Sequence, residues 1–287
     1  SLLDSDELLD KEIKADLRDI KQKYSMDRKT KILEGSAAES VDEKDLHKNT
    51  PCYLFRTEAG YVKRLAQDEI NSQHRAGKGM RGIKPKSGDS VVEILATTAH
   101  ETIYFFTDEG NVYTHEMYRL PEQGRSARGT PVATFLELGN DENVQKMFTS
   151  EEIQEADSLA MAMENGRIKR TDTEEFDRIY NSGLRAVNLS DGDSVAEVAL
   201  ANDTDTAILS AKNGRTIFFD MEEVPKTGRN TKGVNGMKVG DSKVVSLSCF
   251  STETDTETTS LLTLTENGYG KRTLLEKFAV QSRYGKG

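Results

Sequence analysis

The chain of 287 residues has no tryptophan, only two cysteines and five prolines, and an aromatic content of 7%. Each shortage excludes something. With no Trp and few aromatics near its basic stretches, the sequence lacks platforms for stacking unpaired bases, so single-strand binding is disfavoured. Cys52 and Cys249 are isolated, without CxxC or Cys–His spacing. Neither a zinc site nor a disulfide framework is expected, and both thiols read as small buried groups in a reducing compartment. No apolar run approaches about 18 residues, so no membrane span is expected. The chain does not open on Met, nor on a basic n-region followed by an apolar h-region. It therefore reads as a segment of a longer cytoplasmic protein without a secretory leader. There is no Walker loop, no HExxH and no defensible Ser/His/Asp spacing. His47, His74, His100 and His115 are scattered. No active site, metal or cofactor is expected in this chain.

A positive net charge is also missing. The formal charge is −10 and the mean hydropathy −0.64, which argues against indiscriminate nucleic-acid binding. The sign is uneven, however. Residues 61–86 carry seven bases against Asp68 and Glu69, a local +5. Residues 135–159 carry seven acids against Lys146, a local −6.

What the sequence does have is a repeat. The basic loop Gln73-His74-Arg75-Ala76-Gly77-Lys78-Gly79 has Arg third, a base sixth and Gly seventh. The skeleton recurs in Gln123-Gly124-Arg125-Ser126-Ala127-Arg128-Gly129, Thr227-Gly228-Arg229-Asn230-Thr231-Lys232-Gly233 and Gln281-Ser282-Arg283-Tyr284-Gly285-Lys286-Gly287. A turn glycine precedes each loop glycine by 19 positions: Gly60, Gly110, Gly214 and Gly268. A fifth copy runs from Gly166 to Gly183 in 17 positions and has lost both bases. The turn glycines are spaced by 50, 56, 48 and 54 residues. A period near 50 with about four short strands per unit indicates propeller-like radial repetition.

Read in order, residues 2–25 predict an α-helix, with Leu9, Ile13, Leu17, Ile20 and Tyr24 on one face and an Asp4/Glu7 capping pair. A short strand is expected over 31–33 and a linker over 35–48, which assigns 1–34 to a helical segment and 49–287 to an all-β domain. Strands are expected over 52–55, 61–62, 91–95, 102–106, 112–113, 195–200, 206–210, 216–219, 244–249 and 261–264, and a further one leading out at Tyr269. The polar insert at 251–257 reads as an exposed loop. Five turn glycines imply five blades or partial blades, with a piece beyond Gly287 expected.

Arg and Lys three apart on a glycine turn can hold neighbouring phosphates without reading bases, and the glycines would let the backbone approach the ligand. Four such loops at one radial position would form a basic rim suited to a bent duplex. The third unit would be a gap, partly filled by Lys169, Arg170 and Arg185.

These residues resemble the C-terminal domain family of the DNA gyrase A protein. Residues 73–79 are similar to its heptad Gln-Arg-Arg-Gly-Gly-Lys-Gly, differing at His74 and Ala76. Gly60-Tyr61-Val62-Lys63-Arg64 and Gly268-Tyr269-Gly270-Lys271-Arg272 resemble its blade markers, and residues 3–30 resemble the end of its breakage–reunion region. The resemblance implies a β-pinwheel preceded by an N-terminal α-helix, with double-stranded DNA on the rim. It implies contacts from residues 73–79, Lys63, Arg64, Arg81, Arg125, Arg128, Arg229, Lys232, Lys271, Arg272, Arg283 and Lys286. In the holoenzyme it implies a gyrase A N-terminal region and the gyrase B protein in an A2B2 assembly, using ATP and Mg to introduce negative supercoils in a nucleoid-associated setting. A topoisomerase IV-type domain that steers substrate choice without strong wrapping is the alternative, and a protein-docking propeller is a third reading.

Overall fold

Every repeat is built on one glycine turn. The N–H groups of Gly60, Gly110, Gly166, Gly214 and Gly268 donate to the carbonyls of Thr57, Thr107, Met163, Ala211 and Thr265 at 2.8–3.1 Å. All five glycines have φ between 76° and 92°, a conformation that costs glycine nothing. The computed structural model describes residues 6–25, 42–70 and 83–287. It divides into residues 1–42 and 43–287.

In the first unit, α1 spans Asp6–Tyr24, with Asp6 and Glu7 in its first turn and Lys21 and Lys23 in its last. Those charges complement the helix dipole. The expected stripe of Ile13, Leu17, Ile20 and Tyr24 is present and exposed. Asp4, the strand expected over 31–33 and most of the expected linker lie outside the described residues.

In the second unit the strands run in chain order. β1 (Pro51–Thr57) and β2 (Tyr61–Ala66) form the first hairpin. The second module contributes β3 (Val91–Thr98), the hairpin β4 (Thr102–Thr107) and β5 (Asn111–Glu116), and the short β6 (Thr130–Pro131). The third has β7 (Val144–Thr149), the helix α2 (Ser150–Glu155), β8 (Ser158–Met163), β9 (Arg167–Asp172) and β10 (Leu184–Arg185). The fourth has β11 (Val195–Ala201), β12 (Asp205–Ala211), β13 (Thr216–Asp220) and β14 (Val234–Asn235). The fifth has β15 (Val244–Ser251), β16 (Ser260–Leu264) and β17 (Gly270–Leu274).

The sheets do not follow the modules. Each hairpin is flanked by the first and last strands of the module that follows. Thus β3 pairs with β1 and β6 with β2; β7 and β10 flank β4–β5; β11 and β14 flank β8–β9. The fourth sheet has three strands, β13-β12-β15, and β16–β17 forms a two-stranded fifth. This exchange makes the fold, over the described residues, an all-β pinwheel of four sheets plus a hairpin, in keeping with the five blades or partial blades expected.

Apolar side chains fill the space between successive sheets. Leu54 and Val62 meet Phe105 and Met147; Phe106 and Phe148 meet Leu159 and Val198; Ile168 meets Leu209, Phe219 and Leu247. Burying each such side chain contributes about 1.5–3 kcal/mol. Central strands face a neighbouring sheet on both sides. In β1, Leu54 packs toward the second sheet while Phe55 packs against Leu65 and Ile83.

The helix α2 corrects the expectation that everything beyond residue 50 is β. Thr149 caps it: its hydroxyl accepts from Glu152 N–H, and the Glu152 carboxylate accepts from Thr149 N–H. That reciprocal capping box stabilises even a helix of 6 residues. The insert after β15 is mostly exposed, as expected.

Candidate nucleic-acid interface

The repeated loops are set by the strand exchange. Each ends where the chain crosses back to the preceding hairpin. The first loop residue donates its N–H to the carbonyl four positions beyond the preceding module's turn glycine. The bonds are Gln123 to Arg64 (3.1 Å), Thr227 to Arg170 (2.9 Å) and Gln281 to Phe218 (2.7 Å). Just beyond the loops, Val132 N–H donates to the Gly60 carbonyl, Ala186 to Gly110 and Gly236 to Gly166.

Successive loops are also joined to each other. Lys84, five positions past Gly79, donates its N–H to the Ala127 carbonyl of the next loop at 3.3 Å. Asn188 does the same to Thr231 at 3.1 Å, and Lys238 to Gly285 at 2.8 Å. At these three junctions the segment leaving one loop docks into the fifth position of the next.

The loop glycines have a structural role that differs from the expected close approach to a ligand. Gly129 (φ 100°), Gly233 (φ 70°) and Gly287 (φ 77°) press on the preceding hairpin. A Cβ at these positions would lie 2.7 Å from Val62 O, 2.3 Å from Ile168 O and 2.9 Å from Thr216 O. Glycine is needed for the blade contact.

The bases fall into groups. Residues Gln73, His74, Arg75, Ala76, Gly77, Lys78, Gly79 and Arg81 lie outside the described residues. Arg128, Lys232 and Lys286, the sixth loop positions, are exposed and join no ion pair among the described residues. Lys271 and Arg272 are exposed on β17, whose hairpin has no flanking strand among the described residues.

Lys63 and Arg64 correct the expected contact set. Lys63 is 1% exposed, and its ammonium donates to the Ala127 carbonyl at 3.3 Å. Arg64 is 9% exposed; its Nη1 donates to the carbonyls of Met117, Tyr118 and Leu120 at 3.3–3.4 Å. Both point into the body because β2 is covered on both faces. Lys169 and Arg170 follow the same pattern and are also buried, so they do not fill the gap at the third loop; Arg185 is exposed. The Lys169 ammonium donates to Ala186 O at 2.6 Å and Arg229 O at 2.8 Å. Burial and the nearby Arg229 charge push Lys169 down to about 8, against an opposing pull from Glu175. Burial lowers Lys63 likewise, partly offset by Glu69.

The third-position arginines are held. Arg125 Nε is 3.5 Å from the Glu69 carboxylate, and Arg229 Nε donates to Glu175 Oε2 at 3.1 Å. Arg283 donates from Nε to the Glu223 carbonyl and from Nη1 to the Asn235 carbonyl, both at 3.0 Å, while the Glu223 carboxylate accepts Arg283 N–H at 3.1 Å. Sequence reading missed these acids. The signal was available: Glu69, Glu175 and Glu223 each lie nine positions after a turn glycine.

Comparison with known proteins agrees with this architecture. The family model "DNA gyrase C-terminal domain, beta-propeller" matches residues 54–98, 101–151, 157–202, 205–251 and 259–287, and each segment begins within or beside a hairpin. The gyrase A protein of Haloquadratum walsbyi is 32% identical over 291 residues, covering 100% of this chain and 34% of that protein. The chain thus spans about a third of the curated relatives' length. A solved DNA gyrase A C-terminal domain superposes with a TM-score of 0.65 at 26% identity, over 83% of this chain and 76% of that one. The C-terminal domain of a DNA topoisomerase IV, at 23% identity, shares the fold with a TM-score of 0.69 over 84% of this chain and 72% of that one. The five matched segments, one per repeated hairpin, place the chain in the DNA gyrase C-terminal domain family of β-propellers.

Proposed function

We propose that this chain binds duplex DNA along its basic loops and bends it, as the wrapping segment of a DNA gyrase that introduces negative supercoils at the expense of ATP. The observation that carries the reading is the repeated loop frame, which leaves Arg128, Lys232 and Lys286 exposed at the same, sixth position of the second, fourth and fifth loops. Charges repeated at one position of the loop suit a regular phosphate backbone and need no base contact. A net charge of −10 then confines DNA to the loops, because acids elsewhere repel it. In this reading the chain catalyses nothing by itself. Strand cleavage, ATP and Mg chemistry belong to a gyrase A N-terminal region and the gyrase B protein, its partners.

The test is plasmid retardation across a salt series. Replacing Arg128, Lys232 and Lys286 with Ala should reduce the slope of log K against log salt by about 2.7, from three phosphates at about 0.9 each. An unchanged slope would remove the loops from the interface. Tight binding by the chain to protein but not to DNA would favour a docking platform.

A further inference from the structure

The pairing of loop arginines with acids from the preceding module recurs in register. Glu69 lies against Arg125, Glu175 against Arg229 and Glu223 against Arg283. Each Glu stands nine positions after its turn glycine, and each Arg is third in the next loop. The exception follows the same rule. The third loop has Ile179 at the arginine position, and the second module has Arg119 where the first, third and fourth carry Glu; the fifth has Lys277 there. Arg119 pairs with Glu43 instead, at 2.7 Å. At the four junctions from one module to the next loop, acid and arginine are present together or absent together.

The geometry also has a direction. In the Glu175 pair the carboxylate takes the Nε edge of the guanidinium, and that edge is separate from the pair of Nη groups that forks onto a phosphate. Arg229 is further anchored through its own carbonyl, which accepts from Lys169. The Glu223 pair is built differently: its carboxylate accepts the Arg283 main-chain N–H, its carbonyl accepts Nε, and the Asn235 carbonyl takes Nη1. An arginine on an exposed loop loses much rotamer freedom when it binds a ligand; one already held along a single edge loses less.

We infer that Glu69 and Glu175 are positioning residues: each holds its loop arginine at Nε so that the Nη edge meets a DNA phosphate. This inference rests on the DNA-binding reading above and extends it to residues of the wrong sign for DNA contact. The acid acts through the arginine and touches no DNA.

The test compares Glu175→Ala, Glu175→Gln, Arg229→Ala and the Glu175→Ala/Arg229→Ala double variant of the whole chain. Retardation of linear duplex is measured against salt, and thermal melting confirms folding. Arg229→Ala tests the parent reading and should reduce the salt slope by about 0.9. Glu175→Ala should reduce it by the same amount, although it removes a negative charge. Glu175→Gln retains an acceptor for Nε and should keep the parent slope. The double variant should match Arg229→Ala alone. If Arg229→Ala leaves the slope unchanged, DNA binding at this loop fails. If Arg229→Ala reduces the slope while both Glu175 variants tighten binding equally, the acid is a charge brake and the positioning role is overturned. A slope lost in Glu175→Ala together with a lowered melting temperature, and lost further in the double variant, would reduce Glu175 to a fold contact and also overturn it.

Discussion

The Lys169 ammonium lies 2.8 Å from the carbonyl oxygen of Arg229, tying the third hairpin to the loop of the fourth module. With its second bond to Ala186, this buried lysine sets the loop from beneath. Its value of about 8 sits below the ordinary lysine value of about 10.4. Below about pH 8, folded and unfolded chains both hold the proton, and the burial cost is fully present. From about pH 8 to about pH 10 the folded chain releases the proton while the unfolded chain keeps it, so stability rises with pH. A neutral amine still donates to both carbonyls. Melting temperatures of the parent and Lys169→Met should therefore diverge in the parent's favour over that window. A constant difference would contradict the assignment.

Two glycines with similar φ should respond differently to alanine. At Gly214 (φ 85°) a Cβ meets nothing within 4 Å, so the cost is backbone strain alone, about 1–2 kcal/mol. At Gly233 (φ 70°) a Cβ would lie 2.3 Å from Ile168 O. Steric displacement adds to the strain, and Gly233→Ala should cost about 3 kcal/mol or more. Denaturant unfolding of both variants measures the difference; equal costs would argue against the tight loop-to-blade contact.

Glu142 should make the second module sensitive to acid. Burial alone would raise its pKa, but hydrogen bonds from Thr107, Gly139 N–H, Asn111 and Tyr113 outweigh burial and hold it below the usual carboxylate range. Tyr113 in turn is pushed up to about 12 by burial and the Glu142 charge. A carboxylate lowered in the folded state contributes stability above its ordinary value, and that stability is lost as pH falls through the folded value. Glu142→Ala strands several donors and should cost about 3 kcal/mol near neutral pH. The gap between the parent and Glu142→Gln should narrow on acidification. A gap independent of pH would contradict an ionised Glu142.

The sequence was most informative where structure is local. Turn glycines and alternating hairpin strands combine a positive φ with a two-residue period, and both were visible. Strand exchange was hidden because nothing in Val91–Thr98 states that its partner is β1. The two-residue strands β6, β10 and β14 are too short to show any period. Lys63 and Arg64 read as surface charges because lysine and arginine usually are; only the sheets packed on either side of β2 turn them inward. The Thr149/Glu152 capping box was present in the sequence, but a stretch of acids disguised it. The paired glutamates keep a fixed nine-residue distance from a turn glycine, a signal masked because an acid is the wrong sign for contact with DNA.

The most direct test of a wrapped duplex is the linking number trapped when a nicked plasmid is ligated under saturating amounts of this chain. Bending a 20–30 base-pair site through 40–90° costs on the order of 1–6 kcal/mol, so wrapping requires contacts along the whole path. The account predicts a positive linking-number shift for the parent chain. It predicts little or none for the Arg128→Ala/Lys232→Ala/Lys286→Ala variant at concentrations where that variant still retards the plasmid. No shift from the parent chain, or an undiminished shift from the variant, would contradict it.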